Sequence, residues 1–154
     1  MRLVVAVVGK PRDANLAGAI RDYEARAARY WPLDVREVRQ ESAGDKSATR
    51  ARDAEGERLL AAVPPAAQVV ACDVSGRSFT SERFAEWLQA MRERAVDAAF
   101  VIGGAHGLSD AVKKCATSSI ALAPWTLPHE LARLVLAEQL YRAGTIVRRE
   151  PYHK

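Results

Sequence analysis

The sequence predicts an α/β fold, a mostly parallel sheet flanked by helices, formed by residues 1–154 as one domain. Three observations predict it. Five short runs, mostly continuous Val, Ile, Leu, Ala or Phe, are separated by five longer runs of helical period. The two kinds alternate without interruption, the pattern of parallel strands joined by crossover helices. A chain of 154 residues that is 49% hydrophobic and 27% charged can also bury one core, which excludes disorder and collagen-like repeats.

The elements follow in order. Residues 2–8 are apolar at nearly every position, as expected of a strand covered on both faces. Residues 13–30 carry a helical period, and 33–38 form the second strand. The polar segment 40–46, with Gly44, reads as a mobile loop. A helix over 47–62 is closed by Pro64 and Pro65, and a strand follows at 68–73. Ser81 caps a helix over 81–95 whose Phe84, Trp87, Leu88 and Met91 recur at i, i+3, i+4 and i+7, a core face. A strand at 98–103, a helix over 109–116 capped by Ser109 and a strand at 119–123 come next. The last helix, 128–143, stops at Gly144, which sits where a left-handed C′ glycine belongs. Between Leu131 and Tyr141 only Arg133, Glu138 and Gln139 are polar, so this helix must be buried nearly all round. One small domain does not supply that much cover, which predicts a homodimer.

Composition excludes several classes. No apolar run approaches the roughly 18 residues of a membrane helix, and residues 1–10 lack the pattern of a signal peptide. A cytoplasmic protein without membrane contact is expected. Cys72 and Cys115 stand apart from each other and from any His cluster, so neither a disulfide framework nor a metal site is expected. The net charge of +4 arises mainly in residues 101–154, with 7 basic against 4 acidic residues. From Arg142 onward, Arg142, Arg148, Arg149 and Lys154 interleave with Tyr141, Tyr152 and His153. Such a patch can contact phosphates, and it can equally be a solvated basic tail.

The most informative segment is 100–129. Gly103-Gly104-Ala105-His106-Gly107 joins a strand to a helix, where glycines let backbone approach a ligand closely. The spacing is neither G-x-G-x-x-G nor a P-loop, and a turn of this kind can also be merely tight. The loop Ala123-Pro124-Trp125-Thr126-Leu127-Pro128 is stiffened by its prolines and exposes backbone amides and carbonyls beside apolar side chains. It suits a flat base edge, or else it plugs the core with Trp125.

Residues 100–109 (FVIGGAHGLS), 123–133 (APWTLPHELAR), 137–143 (AEQLYRA) and 151–154 (PYHK) together resemble the ribosomal RNA large subunit methyltransferase H family, a member of the SPOUT class. The resemblance covers essentially the whole chain. It implies a C-terminal trefoil knot, S-adenosylmethionine bound in the knot loops, a homodimer, and methylation of N3 of a pseudouridine in 23S rRNA on the assembled ribosome. Carried over by motif, the cofactor site comprises Cys72, Gly104, Ala123, Pro124, Trp125, Thr126, Leu127 and Pro128. Position 72, usually Leu in the family, is Cys here, and His106 stands where the family often has an acid.

Methyl transfer to N3 is an in-line displacement that needs alignment and loss of the N3 proton, with no metal. Arg142 and His153 are the expected catalytic cations, with Tyr152 positioning the base. Tyr152 and His153 are expected to complete the partner subunit's site. Two rivals remain: a non-catalytic ribosome-associated RNA-binding factor of the same fold, and a nucleotide-dependent enzyme acting on a small metabolite.

Overall fold

Six consecutive buried residues, Leu3–Val8, form strand β1, and burial on both faces requires a neighbour on each side and helices above and below. The computed structural model describes residues 1–42 and 47–153, residue 153 by its backbone alone. The loop expected at 40–46 therefore lies largely outside the described residues. The order is β1 (Leu3–Val8), α1 (Ala14–Ala27), β2 (Leu33–Val38), α2 (Ala48–Ala61), β3 (Gln68–Ser78), α3 (Ser81–Glu93), β4 (Ala98–Ile102), α4 (Asp110–Cys115), β5 (Ser118–Ala121) and α5 (His129–Val147), then a 3-10 turn at Pro151–His153. The strands are parallel in the order β2-β1-β4-β3-β5.

Alternation along the strands divides the core. Leu3, Val5, Val7, Phe100 and Ile102 face α1, α3 and α5, where they meet Trp31, Phe84, Leu88, Met91, Leu136 and Leu140. Ala6, Val8, Ala71 and Val101 face α2 and α4, where they meet Leu59, Leu108 and Val112. The stripe Phe84, Leu88 and Met91 of α3 is buried, with Trp87 packed beside it. No helix among the described residues is long and apolar enough to cross a membrane.

Three local expectations need correction. Thr80, not Ser81, caps α3: its hydroxyl accepts the Arg83 N–H at 3.3 Å, and Ser81 is already helical, donating to Gln139 Oε1 at 2.8 Å. Gly144 does not end α5, which runs on to Val147. Its missing side chain makes room for Tyr30, since a Cβ there would lie 2.3 Å from Tyr30 Cγ. The left-handed cap falls instead on Arg149, at φ 58°, with Glu150 N–H bonded to Thr145 O at 2.8 Å and Arg149 N–H to Ile146 O at 2.9 Å. The third correction concerns β3, which continues past residue 73 to Ser78.

That continuation depends on β5. Cys72 and Arg77 both lie opposite Ile120, so residues 73–76 bulge out of the ladder before the strand rejoins it. The bulge is closed by Asp73, whose Oδ1 accepts the Ser75 N–H at 3.0 Å and hydroxyl at 2.5 Å. Gly76 then crosses directly over β5, because a Cβ there would lie 2.6 Å from backbone atoms of Ser119 and Ile120.

Helix α5 is anchored at a charged point. Arg133, 6% exposed, donates from Nε to Glu24 Oε1 of α1 at 2.7 Å and from Nη1 to Glu37 Oε1 of β2 at 2.8 Å. Further along, Trp31 Nε1 donates to Leu140 O at 2.8 Å. Leu131, Leu134, Val135, Glu138 and Arg142 form a face that stays partly exposed.

Gly144→Ala should destabilise the chain by about 1–2 kcal/mol, because overpacking against Tyr30 outweighs the gain in helix propensity. Urea unfolding would show it as a lower midpoint at unchanged slope.

Candidate active site

The bulge of β3 and the loops that follow β4 and β5 meet beyond the carboxyl ends of the central strands, the place where parallel α/β sheets bind ligands. They are residues 72–74, 102–108 and 122–128, joined by His129 and Ala132 at the start of α5. Between them lies an open cavity of about 580 Å³.

Each loop has a local cause. The glycine loop doubles back after β4: Gly107 N–H donates to Gly104 O at 3.1 Å, and Gly107 adopts φ 76°. A Cβ on Gly103 would lie 2.6 Å from the Gly107 carbonyl, so the two limbs of the turn touch backbone to backbone. Behind Gly104 sits Glu55 of α2, 2% exposed, where a Cβ would approach Oε2 to 2.7 Å. Glu55 Oε1 accepts the Glu41 N–H at 3.0 Å, while Oε2 has no hydrogen-bond partner among the described residues. Ser109 ends the loop as the cap of α4, as expected, accepting the Val112 N–H at 3.3 Å. The third loop does not plug the core. Trp125 is 77% exposed at the cavity rim, and Val74 across the opening is 54% exposed.

The expected cofactor residues therefore gather at one place. Cys72, Gly104, Ala123, Trp125, Thr126, Leu127 and Pro128 line the cavity, and Pro124 belongs to the same loop without lining it. Burial pushes the Cys72 thiol up to about 12, so it is an inert wall rather than a nucleophile. Asp73 lines the cavity too and was not singled out from the sequence. Burial alone would raise its carboxyl, but hydrogen bonds from Ser75 and the Lys113 ammonium at 3.0 Å hold it below the usual carboxylate range. An ionised carboxylate thus faces the cavity. The signal that could have found it is Asp73-x-Ser75 directly after a buried strand, a side-chain-closed turn. His129 lines the cavity as well, whereas His106 sits exposed on the glycine turn outside it.

The expected catalytic residues are not brought to this cavity within one protomer. Arg142, two-thirds of the way along α5, donates from Nη2 and Nε to Glu138 Oε1 at 2.6 and 3.0 Å. Its guanidinium lies 4.9 Å from the Tyr152 ring centre. Tyr152 packs on Tyr141 at 4.5 Å, and its hydroxyl lies 3.2 Å from Glu138 Oε1 and 3.3 Å from the Tyr23 hydroxyl. Burial, the bond to Tyr23 and the Glu138 charge push the phenol well above its ordinary range, so it stays protonated. Hydrogen bonding to Glu138 raises the Arg142 guanidinium further, so it stays a cation. The His153 side chain lies outside the described residues. Thirteen helical residues separate His129 from Arg142, roughly 20 Å along the axis. Among the described residues no cluster of three or more His, Cys, Asp or Glu is placed to hold a metal ion.

A family model described as "Predicted SPOUT methyltransferase" matches residues 1–153. The chain is 60% identical over 154 residues to the ribosomal RNA large subunit methyltransferase H of Gemmatimonas aurantiaca, covering all of both chains. It is 47% identical over 154 residues to the protein of the same name from Anaeromyxobacter sp., again covering all of both. Among solved structures, that of TrmJ from Z. mobilis covers 93% of this chain and 70% of its own, at 22% identity and a TM-score of 0.48.

Because Cys115 is exposed and Cys72 is only partly exposed with its thiol raised by burial, iodoacetamide at pH 8 should alkylate Cys115 first. Peptide mass spectrometry should find Cys72 modified at a comparable rate only after denaturation.

Proposed function

The chain belongs to the SPOUT methyltransferase family, and from that premise we propose that it methylates N3 of a pseudouridine in 23S rRNA, using S-adenosylmethionine, on the assembled ribosome in the cytoplasm. Residues 1–154 act as a single methyltransferase domain. The observation that carries this reading is the convergence of residues 72–74, 102–108 and 122–128 on one cavity. Full-length identity of 60% to a protein named for large-subunit rRNA methylation supports the substrate class.

The residues present fit the cofactor. A cavity of about 580 Å³ lies within the range of small-molecule sites, roughly 300–1,000 Å³. At Gly107 a Cβ would meet nothing within 4 Å, so that limb of the turn opens onto free space. Cys72, Ile102, Leu122 and Leu127 offer an apolar slot for adenine, and amides and carbonyls of 123–128 can read its edge. Asp73 can accept from ribose hydroxyls or an ammonium group. When bound, S-adenosylmethionine supplies an electrophilic methyl group on a sulfonium.

We read the path after β5 as a trefoil knot. Strand β5 lies at the sheet edge beyond β3, yet α5 begins beside β1, where Glu130 Oε1 accepts the Arg12 N–H at 2.9 Å. Residues 122–128 must pass over the ends of β3 and β4 between these points, next to the crossing at Gly76.

The cluster of Arg142, Glu138, Tyr152 and Tyr23 acts, on this reading, at the partner subunit's cavity. Two observations support it: the cluster lies away from its own cavity, and the face Leu131, Leu134, Val135, Glu138 and Arg142 remains partly exposed along α5. Packing that face against a second copy forms the homodimer. There Arg142 stabilises the negative charge that develops as N3 loses its proton. Tyr152, held protonated, donates a hydrogen bond to a base carbonyl and fixes the ring. His153 is left as the proton acceptor on the tail.

Two experiments test the proposal. Ribosomes from a strain lacking this methylation should take label from S-adenosylmethionine at one pseudouridine of 23S rRNA, and separated subunits should not. Absence of both label and calorimetric cofactor binding would instead identify a non-catalytic factor. Removing residues 151–154 should abolish transfer while leaving cofactor affinity within about twofold. Mixing that truncation with a subunit disabled at Gly104 should restore transfer, as only a tail acting across the dimer predicts.

A further inference from the structure

Three helix ends meet near the amino ends of the strands, at the other end of the sheet from the cavity. Arg148, the C-cap of α5, donates to the Arg29 carbonyl at 3.5 Å and lies over the Tyr30 ring at 4.7 Å. Arg92, in the last turn of α3, donates to the Tyr30 carbonyl and stacks on Trp31 at 4.0 Å. Arg29 itself and the left-handed Arg149 are exposed beside them. Four arginines from three elements thus surround Tyr30 and Trp31. The carboxylate at this point, Glu150, accepts the Tyr30 hydroxyl.

Helix capping accounts for part of this arrangement. Cations near a helix C-terminus satisfy orphan carbonyls, and Arg92 and Arg148 each give one hydrogen bond to the carbonyls that follow α1. A guanidinium carries five N–H donors, so one bond uses a small part of its capacity. Burial, then the like charge of Arg148, holds the Arg92 guanidinium below its usual range. The two cations repel, and among the described residues none of the salt bridges pairs Arg92 with a carboxylate. An anion placed there would relieve the repulsion and use the remaining donors, and planar guanidiniums match the paired oxygens of a phosphate.

We propose that Arg92 and Arg148, flanked by Arg29 and Arg149, form a binding site for the phosphodiester backbone of the rRNA substrate. The proposal rests on the rRNA-methyltransferase reading. It also gives the C-terminal segment a second role, since Arg148 and Arg149 lie three to four residues before Tyr152 and the cluster grips RNA next to the cavity that Tyr152 completes. Aromatic stacking on Trp31 and Tyr30 holds both guanidiniums in place before RNA arrives.

The test compares the wild-type chain with Arg92→Gln/Arg148→Gln and with Arg92→Lys/Arg148→Lys, measuring ribosome binding across a salt series and steady-state methyl transfer. Loss of two phosphate contacts should flatten the log–log salt slope by about 1.4–1.8. It should also raise KM for ribosomes about tenfold at unchanged kcat and unchanged S-adenosylmethionine affinity. The lysine pair should keep most of the slope. Unchanged slope and KM in the glutamine pair would overturn the site, as would a thermal destabilisation shared by the single variant Arg148→Gln without any change in slope. A raised KM at unchanged slope would also overturn it and point to a ribosomal protein at this surface. A wild-type chain that binds rRNA with an arginine-dependent slope yet transfers no methyl group would overturn the methyltransferase reading and leave this site standing.

Discussion

The ion cluster at Arg133 holds the molecule's functional end in place. A guanidinium 6% exposed is costly unless it is paired, and here two carboxylates pair it, Glu24 of α1 and Glu37 of β2. Burial alone would lower the Arg133 guanidinium, but the two carboxylates more than offset it, so the group stays charged. The consequence is positional. Arg133 lies five residues after Pro128, so fixing it against α1 and β2 fixes the start of α5 and the far end of the 122–128 loop. The near end is fixed by β5, paired to β3 at the opposite edge of the sheet. A loop tethered at both ends over the strand termini is a preorganised wall.

Close approach of the chain at three glycines shapes the surroundings of that wall. At Gly76 the chain crosses β5, at Gly103 it touches its own return limb, and at Gly104 it rests on Glu55. Each contact occupies space that a Cβ would need, so these three glycines set how closely the chain can pass. Acid and base groups are sparse at the cavity, with Asp73, Cys72 and His129 the titratable residues on its rim.

The chemistry expected at the end of the chain sits on a separate support. Tyr23, Tyr30, Tyr141 and Tyr152 form an aromatic stack along α1 and α5, and Arg26, Arg142 and Arg148 lie over its rings. The stack holds the 3-10 turn at Pro151–His153 against the helix pair. The cavity at the start of α5 and the polar cluster from Glu138 onward thus lie apart along one helix.

Much of this was legible in the sequence. Continuous apolar runs reveal buried strands because burial on both faces leaves no place for polar residues, and β1, β2 and β4 fall within a residue of expectation. The spacing of Phe84, Leu88 and Met91 reveals a core face for the same reason, and the motifs at 103–107 and 123–128 mark two of the three cavity loops. Other features depend on residues far away. Arg133 reads as a polar break in an apolar helix until Glu24 and Glu37, 109 and 96 positions earlier, close around it. Gly144 reads as a helix stop because local conformational preference is all that is visible, whereas Tyr30 decides that the helix continues. The expected strand at 68–73 stops where polar residues begin, whereas pairing with β5 carries β3 on to Ser78. Hydrophobic period is local and survives in a single string, whereas the caps expected at Ser81 and Gly144 do not. Backbone crossings, buried ion clusters and the meeting of arginines from α1, α3 and α5 are long-range, so only the folded chain decides them.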